Sequence, residues 1–99
     1  MAITANVDLG NGASASSCYI IVPNAYVKKY DDDSFKLIYD VHIYKDASDR
    51  ATNLHTKQIP CREVDHFKIT YDPTTSDNPF KLSYTHLKTN SKLSSISDA

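Results

Sequence analysis

A stretch of strict alternation at residues 34–45 (SFKLIYDVHIYK) constrains the fold more than any other part of the chain. One face is apolar at every position and the other is mostly polar. The apolar positions are Phe35, Leu37, Tyr39, Val41 and Ile43. Because the side chains of a β-strand point to opposite faces with period two, this pattern is typical of a half-buried strand and not of a helix. We predict a single central strand over residues 34–45.

Shorter runs predict the remaining elements. Alternating residues suggest strands at 3–9 and 64–71, and the run at 18–30 is interrupted at Pro23, because proline cannot donate to a ladder. Two weaker expectations are an edge strand at 55–62 and one helical turn at 46–52. The pair Asn78-Pro79 predicts a helix start, since asparagine caps helices and proline suits the first helical position. The expected fold is mainly β (α+β), a small antiparallel sheet or sandwich of four to five strands with one C-terminal helix.

Composition divides the chain into three segments. Residues 1–17 are predicted to form a terminal strand followed by a flexible arm, because 10–17 holds both glycines and several small polar residues. This arm is suited to adding its strand to the sheet edge of a neighbour. Residues 18–90 are expected to form the one β-rich domain. The serine-rich tail at 91–99 is expected to be mobile.

Charge and hydropathy argue against two classes of partner. The net charge is −1, which gives no general attraction to nucleic acid or to an anionic membrane. Residues 26–30 (YVKKY) interleave aromatic and basic side chains, but three aspartates follow at 31–33 and offset that charge. No segment approaches the roughly 20 apolar residues of a membrane span. The N-terminal residues lack the pattern of a signal peptide, so synthesis in a cytoplasm is expected.

The residues that could carry chemistry form no recognisable motif. His42, His55, His66 and His86 are scattered, without the spacing of a zinc site. The two cysteines, Cys18 and Cys61, are expected to be free and partly buried thiols. The acidic run at 31–33 lacks the alternating ligands of a calcium loop and is predicted to be a hairpin tip. We therefore expect no enzyme activity, no catalytic residues, no cofactor and no metal.

Apolar residues on the nominally polar faces point instead to contact with a partner. Ile38 and Tyr44 lie on the polar side of the central strand, and one helix can cover only one face of a sheet. Either the sheet folds into a sandwich or a partner chain covers the second face. The candidate interface residues are Ile3, Val7, Tyr19, Ile21, Tyr26, Ile38, Tyr44, Phe80 and Tyr84.

The order of these elements also resembles a family. A strand ends near Ala25-Tyr26, a long amphipathic strand and a short turn at 46–52 follow, and a later helix carries the spacing Phe80, Tyr84, Leu87, Lys88 with a His-Leu-Lys-Thr run at 86–89. This arrangement is similar to small structural proteins of tailed bacteriophages over residues 20–90.

The resemblance implies a non-catalytic component of the virion, made in the bacterial host cytoplasm. Its place would be the tail, the baseplate, a fibre adaptor or the capsid, where it would act as a decoration (cement) protein. Its partners would be other virion structural proteins, and it would form a homo-oligomer or assemble in a symmetric particle. The alternative is a small binding module or inhibitor that acts on a host macromolecule.

Overall fold

Two antiparallel sheets and one well-formed helix make up the protein in the computed structural model, which describes residues 2–10, 12–52, 59, 61, 64–74 and 78–99. The elements are β1 (Ile3–Gly10), β2 (Ala13–Ile21), β3 (Ala25–Lys29), β4 (Phe35–Asp40), β5 (His42–Tyr44), α1 (Ala47–Thr52), β6 (His66–Thr70), α2 (Pro79–Leu87) and β7 (Leu93–Asp98). One sheet has the order β5-β2-β1-β7 and the other the order β3-β4-β6. The predicted class, mainly β with a C-terminal helix, is confirmed. The described residues form seven strands, more than the four or five expected.

The predicted central strand divides at Val41 and contributes to both sheets. Strand β4 pairs with β3 and β6, whereas β5 pairs with β2 in the four-stranded sheet. At the break, the Val41 amide donates to the Asp65 carbonyl at 2.8 Å. The alternation of side chains continues through the break, which is why the sequence indicates one strand although the hydrogen-bonding partners change.

The core lies where the inner faces of the two sheets meet helix α2. From the predicted apolar face, Leu37, Tyr39, Val41 and Ile43 are all buried, as expected. A ladder row of Ile43, Ile20 and Ile3 crosses three strands of the larger sheet and joins the same cluster. Helix α2 adds Tyr84 and Leu87. One core therefore holds both sheets and the helix together.

Strand β1 lies inside the larger sheet and is not part of an arm. It is hydrogen-bonded to β2 on one side and to β7 on the other, and Ile3 and Val7 are fully buried. The predicted loop at 10–17 is wrong, because β2 already begins at Ala13. Gly10 and Gly12 have φ values of +84° and +79°, the left-handed conformation that glycine adopts without strain and that the turn between β1 and β2 uses.

The expected mobile tail is likewise a strand. Strand β7 pairs with β1, Leu93 is buried, and the Lys88 ammonium lies 2.6 Å from the Asp98 carboxylate. Ser95 has a φ of +51°, and the β1–β7 register shifts there, so that Leu93 and Ile96 both pack on the core although they are three positions apart. The separate segments 1–17, 18–90 and 91–99 are therefore one folded unit.

The local turn and cap predictions are confirmed where the structure describes them. At the hairpin tip, Tyr30 N–H donates to the Ser34 carbonyl at 2.9 Å, and Asp33 takes the left-handed conformation with a φ of +63°. The Asn78 side chain accepts from the Phe80 amide at 2.8 Å and caps α2, with Pro79 as its first residue. The predicted helical turn is α1. Of the predicted edge strand at 55–62, only Ile59 and Cys61 lie inside the described residues.

We predict that Val41→Asp unfolds the domain. Val41 is only 2% exposed at the crossing between the sheets, and an unpaired charge in such a place costs several kcal/mol against a total stability of about 5 to 15 kcal/mol. Ser16→Asp, which adds the same charge at an exposed position of β2, serves as the control. Circular dichroism melting compares the two, and a Val41→Asp variant as stable as the wild type would refute the assigned face.

Deletion of residues 91–99 is expected to lower the free energy of unfolding by at least about 2 to 5 kcal/mol, the cost of losing a buried leucine such as Leu93. The deletion also exposes the hydrogen-bonding edge of β1. Urea denaturation measures the effect, with Ser97→Ala as a control that alters only an exposed side chain of β7. An unchanged urea midpoint would mean that β7 contributes nothing to stability.

Candidate binding surfaces

The structure divides the nine candidate interface residues into three groups by their exposure. Six are buried inside the chain and so are not accessible to a partner: Ile3, Val7, Ile21, Ile38, Tyr44 and Tyr84. Tyr19 is partly buried and packs with Ala2, Ile21 and Tyr44 in a second, smaller cluster. Tyr26 and Phe80 remain, 53% and 41% exposed, as the exposed large hydrophobic residues of the described part of the chain. The chain's own packing therefore buries most of the apolar residues that the sequence assigns to a partner.

Helix α2 is held in place by a hydrogen bond from its buried face. The Tyr84 hydroxyl accepts from the Val22 amide at 2.8 Å, just after β2 ends. Burial raises the pKa of Tyr84, so its side chain is the neutral phenol.

On the first turn of α2, Phe80 lies at the rim of a groove of about 550 Å³ lined by Val22, Asn78, Phe80, Lys81 and Tyr84. The spacing of Phe80, Tyr84 and Leu87 predicts one helix face packed on the sheet, and this is wrong for Phe80: the helix buries Ser83, Tyr84 and Leu87, whereas Phe80 is exposed.

A second polar contact ties α2 to the smaller sheet. The Tyr39 hydroxyl and His86 Nδ1 are 2.5 Å apart, and the Tyr39 ring stacks on Phe67 with centroids 5.2 Å apart. Burial raises the pKa of Tyr39. A neighbouring cavity of about 400 Å³ is lined by Leu37, Ile69 and Leu82 together with polar residues that include His86. This cluster therefore positions the helix on the sheet.

The opposite side of the smaller sheet, which we call the outer face, is made by alternate residues of β3, β4 and β6. Its cross-strand rows follow from the register. They are Tyr26–Ile38–Lys68, Lys28–Lys36–Thr70 and Asp40–His66. The contacts of α2 with this sheet, through Tyr39, Phe67 and His86, are on the inner face. Tyr26, Lys28 and Lys68 are exposed, whereas Ile38 is buried between Tyr26 and Lys68 in its row.

The lysines of the outer face gather around Tyr30 at the end of β3. The Nζ atoms of Lys28 and Lys68 lie 5.3 and 5.2 Å from the centroid of the Tyr30 ring. The pKa of Tyr30 is lowered, first by hydrogen bonding from Lys68 and then by the positive charges of Lys68, Lys28 and Lys36. Lys36 Nζ is 3.4 Å from Thr70 Oγ1. Within the described residues, none of these three lysines lies within 4.0 Å of a carboxylate oxygen.

The sequence alone does not indicate that Lys36 and Lys68 lie beside the basic and aromatic run at 26–30. Both lysines occupy polar positions of predicted strands, and this position is the one feature in the sequence that points to the patch. Only the pairing of β4 with β3 and β6 brings them beside Lys28.

The described histidines and cysteines do not come together in one site. His86 meets Tyr39, His66 Nδ1 lies 2.6 Å from Asp40, and His42 lies 3.5 Å from the Tyr44 hydroxyl, while His55 is outside the described residues. Cys18 and Cys61 are both free and buried, as expected. Across the described ranges, no three His, Cys, Asp or Glu side chains are grouped so that they could hold a metal ion.

Comparison with known protein families, with curated proteins and with solved structures finds no match for this chain. None of the helices among the described residues is long and apolar enough to span a membrane.

Tyr84→Phe is expected to destabilise the protein by about 1 to 3 kcal/mol, because it leaves the buried Val22 amide without an acceptor. The matched control is Tyr26→Phe, which removes the same hydroxyl from an exposed ring and should leave stability unchanged. Chemical denaturation of both variants makes the comparison. Equal stability of the two variants would show that the Tyr84–Val22 bond does not hold the helix.

Proposed function

We propose that the protein is a non-catalytic virion structural protein of a tailed bacteriophage. It would act as a tail, baseplate or fibre adaptor, or as a capsid decoration protein. In this role it works by surface contact with copies of itself or with other virion structural proteins.

The observation that carries the proposal is the exposure of Phe80 beside the groove at the start of α2. The rest of the helix's apolar stripe, Tyr84 and Leu87, is buried in the chain's own core, so Phe80 extends that stripe to the surface. Burying the exposed part of a phenylalanine ring is worth about 1 to 2 kcal/mol, and a symmetric contact counts it twice. A ring in this position is therefore suited to anchoring a contact between subunits.

The setting in a phage particle rests on the sequence resemblance described above. The resemblance expects a strand that ends near Ala25-Tyr26, which is wrong because β3 begins there; the turn at 46–52 is α1 and the aromatic-rich run lies on α2. Phe80 belongs both to the contact surface and to the motif of the resemblance.

We expect the wild type to self-associate at micromolar concentrations and Phe80→Ser to weaken that association by about 10- to 100-fold. Size-exclusion chromatography with light scattering gives the mass of each variant against 11.1 kDa for the single chain. Tyr26→Ser, which removes an exposed aromatic side chain from the outer face, is the control and should associate like the wild type. Both variants should melt like the wild type.

Mass spectrometry of particles produced by the genome that encodes the chain tests the setting. The proposal predicts the chain in purified virions at a fixed copy number relative to the main tail or capsid protein. A protein that stays monomeric and is absent from particles would instead be the small binding module or inhibitor of a host macromolecule.

A further inference from the structure

We propose that the outer face of the three-stranded sheet binds single-stranded nucleic acid, with phosphates held by Lys28, Lys36 and Lys68 and a base stacked on Tyr26. This inference concerns a surface other than the Phe80 groove and does not depend on the proposed assembly role. It departs from the expectation, drawn from the sequence, that nucleic acid is not a partner.

The first observation is a charge arrangement that folding alone does not favour. Lys28 and Lys36 are direct cross-strand partners, and like charges in that position destabilise a sheet. Lys68 is a diagonal neighbour of Lys36 on the next strand. Since none of the three has a carboxylate partner in the described structure, the surface presents a net positive patch that an anion would stabilise.

The aspartates at the hairpin tip offset this patch less than the sequence suggests. Asp33 lies 3.3 Å from Lys29, whose side chain belongs to the other face of β3. Asp32 accepts hydrogen bonds from the Ser34 amide and hydroxyl, which lower its pKa and keep it ionised, and its negative charge acts on Lys36. At the other end of the face, Asp40 is paired with His66. The acidic groups thus lie at the ends, with the lysines between them.

The second observation is an open aromatic ring beside the patch. Tyr26 is 53% exposed and shares its cross-strand row with Lys68. The Tyr30 ring is engaged by Lys28 and Lys68, an arrangement that holds two ammonium groups on the same side of the sheet. An exposed ring among positive charges is the combination by which proteins bind single strands, because any unpaired base can stack on it.

The size of the face favours a single strand over a duplex. Three strands spaced about 4.8 Å apart place the lysines within about 10 Å of one another, enough for two or three consecutive phosphates. A base inside a duplex is already stacked and cannot reach a tyrosine on a flat sheet. An acidic protein surface would use the lysines but would not make the stacking contact that an unpaired base makes with Tyr26.

The test is fluorescence anisotropy of a labelled oligothymidylate of about 12 nucleotides, titrated with the full chain between about 20 and 200 mM salt. We expect a dissociation constant of about 10 to 100 µM at low salt. The slope of log K against log salt should be about −2, the value for three phosphates at about 0.7 each. Lys36→Gln should weaken binding and make that slope shallower by about 0.7.

Tyr26→Ala should weaken binding by about tenfold without changing the salt slope, because it removes stacking and not charge. Tyr26→Phe should bind like the wild type, since it keeps the ring. Lys29→Gln is the matched control for charge, because it removes a lysine from the same strand but from the opposite face. Phe80→Ser should also bind like the wild type, which separates this inference from the assembly role.

Melting of the same variants excludes misfolding as the cause. Lys36→Gln should be at least as stable as the wild type, because it relieves the repulsion from Lys28. No anisotropy change at about 20 mM salt would overturn the proposal, as would equal losses from Lys29→Gln and Lys36→Gln. Displacement by polyglutamate together with indifference to Tyr26→Ala would assign the face to an acidic protein instead. Equal affinity for a duplex would also count against a single-strand site.

Discussion

The fold depends on one continuous strand segment that must serve two sheets. Residues 35–44 keep their inward alternation, so Leu37 is buried and Tyr39, Val41 and Ile43 all reach the same core, while the backbone changes its hydrogen-bonding partners at Val41. The amide of Val41 would lose its ladder partner at this point, and the Asp65 carbonyl satisfies it. The side chains thereby hold together two sheets that the ladder does not connect.

The larger sheet includes both the first strand, β1, and the last strand, β7. Strand β1 takes an inner position between β2 and β7. Each of these neighbours has a bulge at a serine with a positive φ, which is Ser17 (+53°) in β2 and Ser95 (+51°) in β7. The bulges interrupt the period of two, so that apolar residues three positions apart, such as Leu93 and Ile96, reach the same core. A small domain that buries little surface per residue gains substantially from using its terminal segments in this way.

Filling the core in this manner leaves two distinct surfaces for contact. Six of the nine candidate interface residues are buried and Tyr19 is partly buried, which leaves Phe80 at the helix start and Tyr26 on the outer face exposed. The two differ in chemistry: Phe80 borders a largely apolar groove, whereas Tyr26 stands among lysines. A contact between subunits and an anionic partner can therefore occupy the molecule at different places.

The sequence determined those features that depend on neighbours along the chain. These are the inward face of residues 35–43, the acidic hairpin tip, the break near Pro23, the Asn78 cap and the class of fold. The tertiary structure decided what depends on strand pairing. Bulges interrupt the alternation of β2 and β7, so the sequence does not show these strands clearly. The exposure of Phe80 depends on where the contact of α2 with the sheets ends. Lys28, Lys36 and Lys68 form one patch only because three strands pair side by side. The physical reason is that period and capping are local, whereas register brings together residues that are far apart in the sequence, such as Lys28 and Lys68.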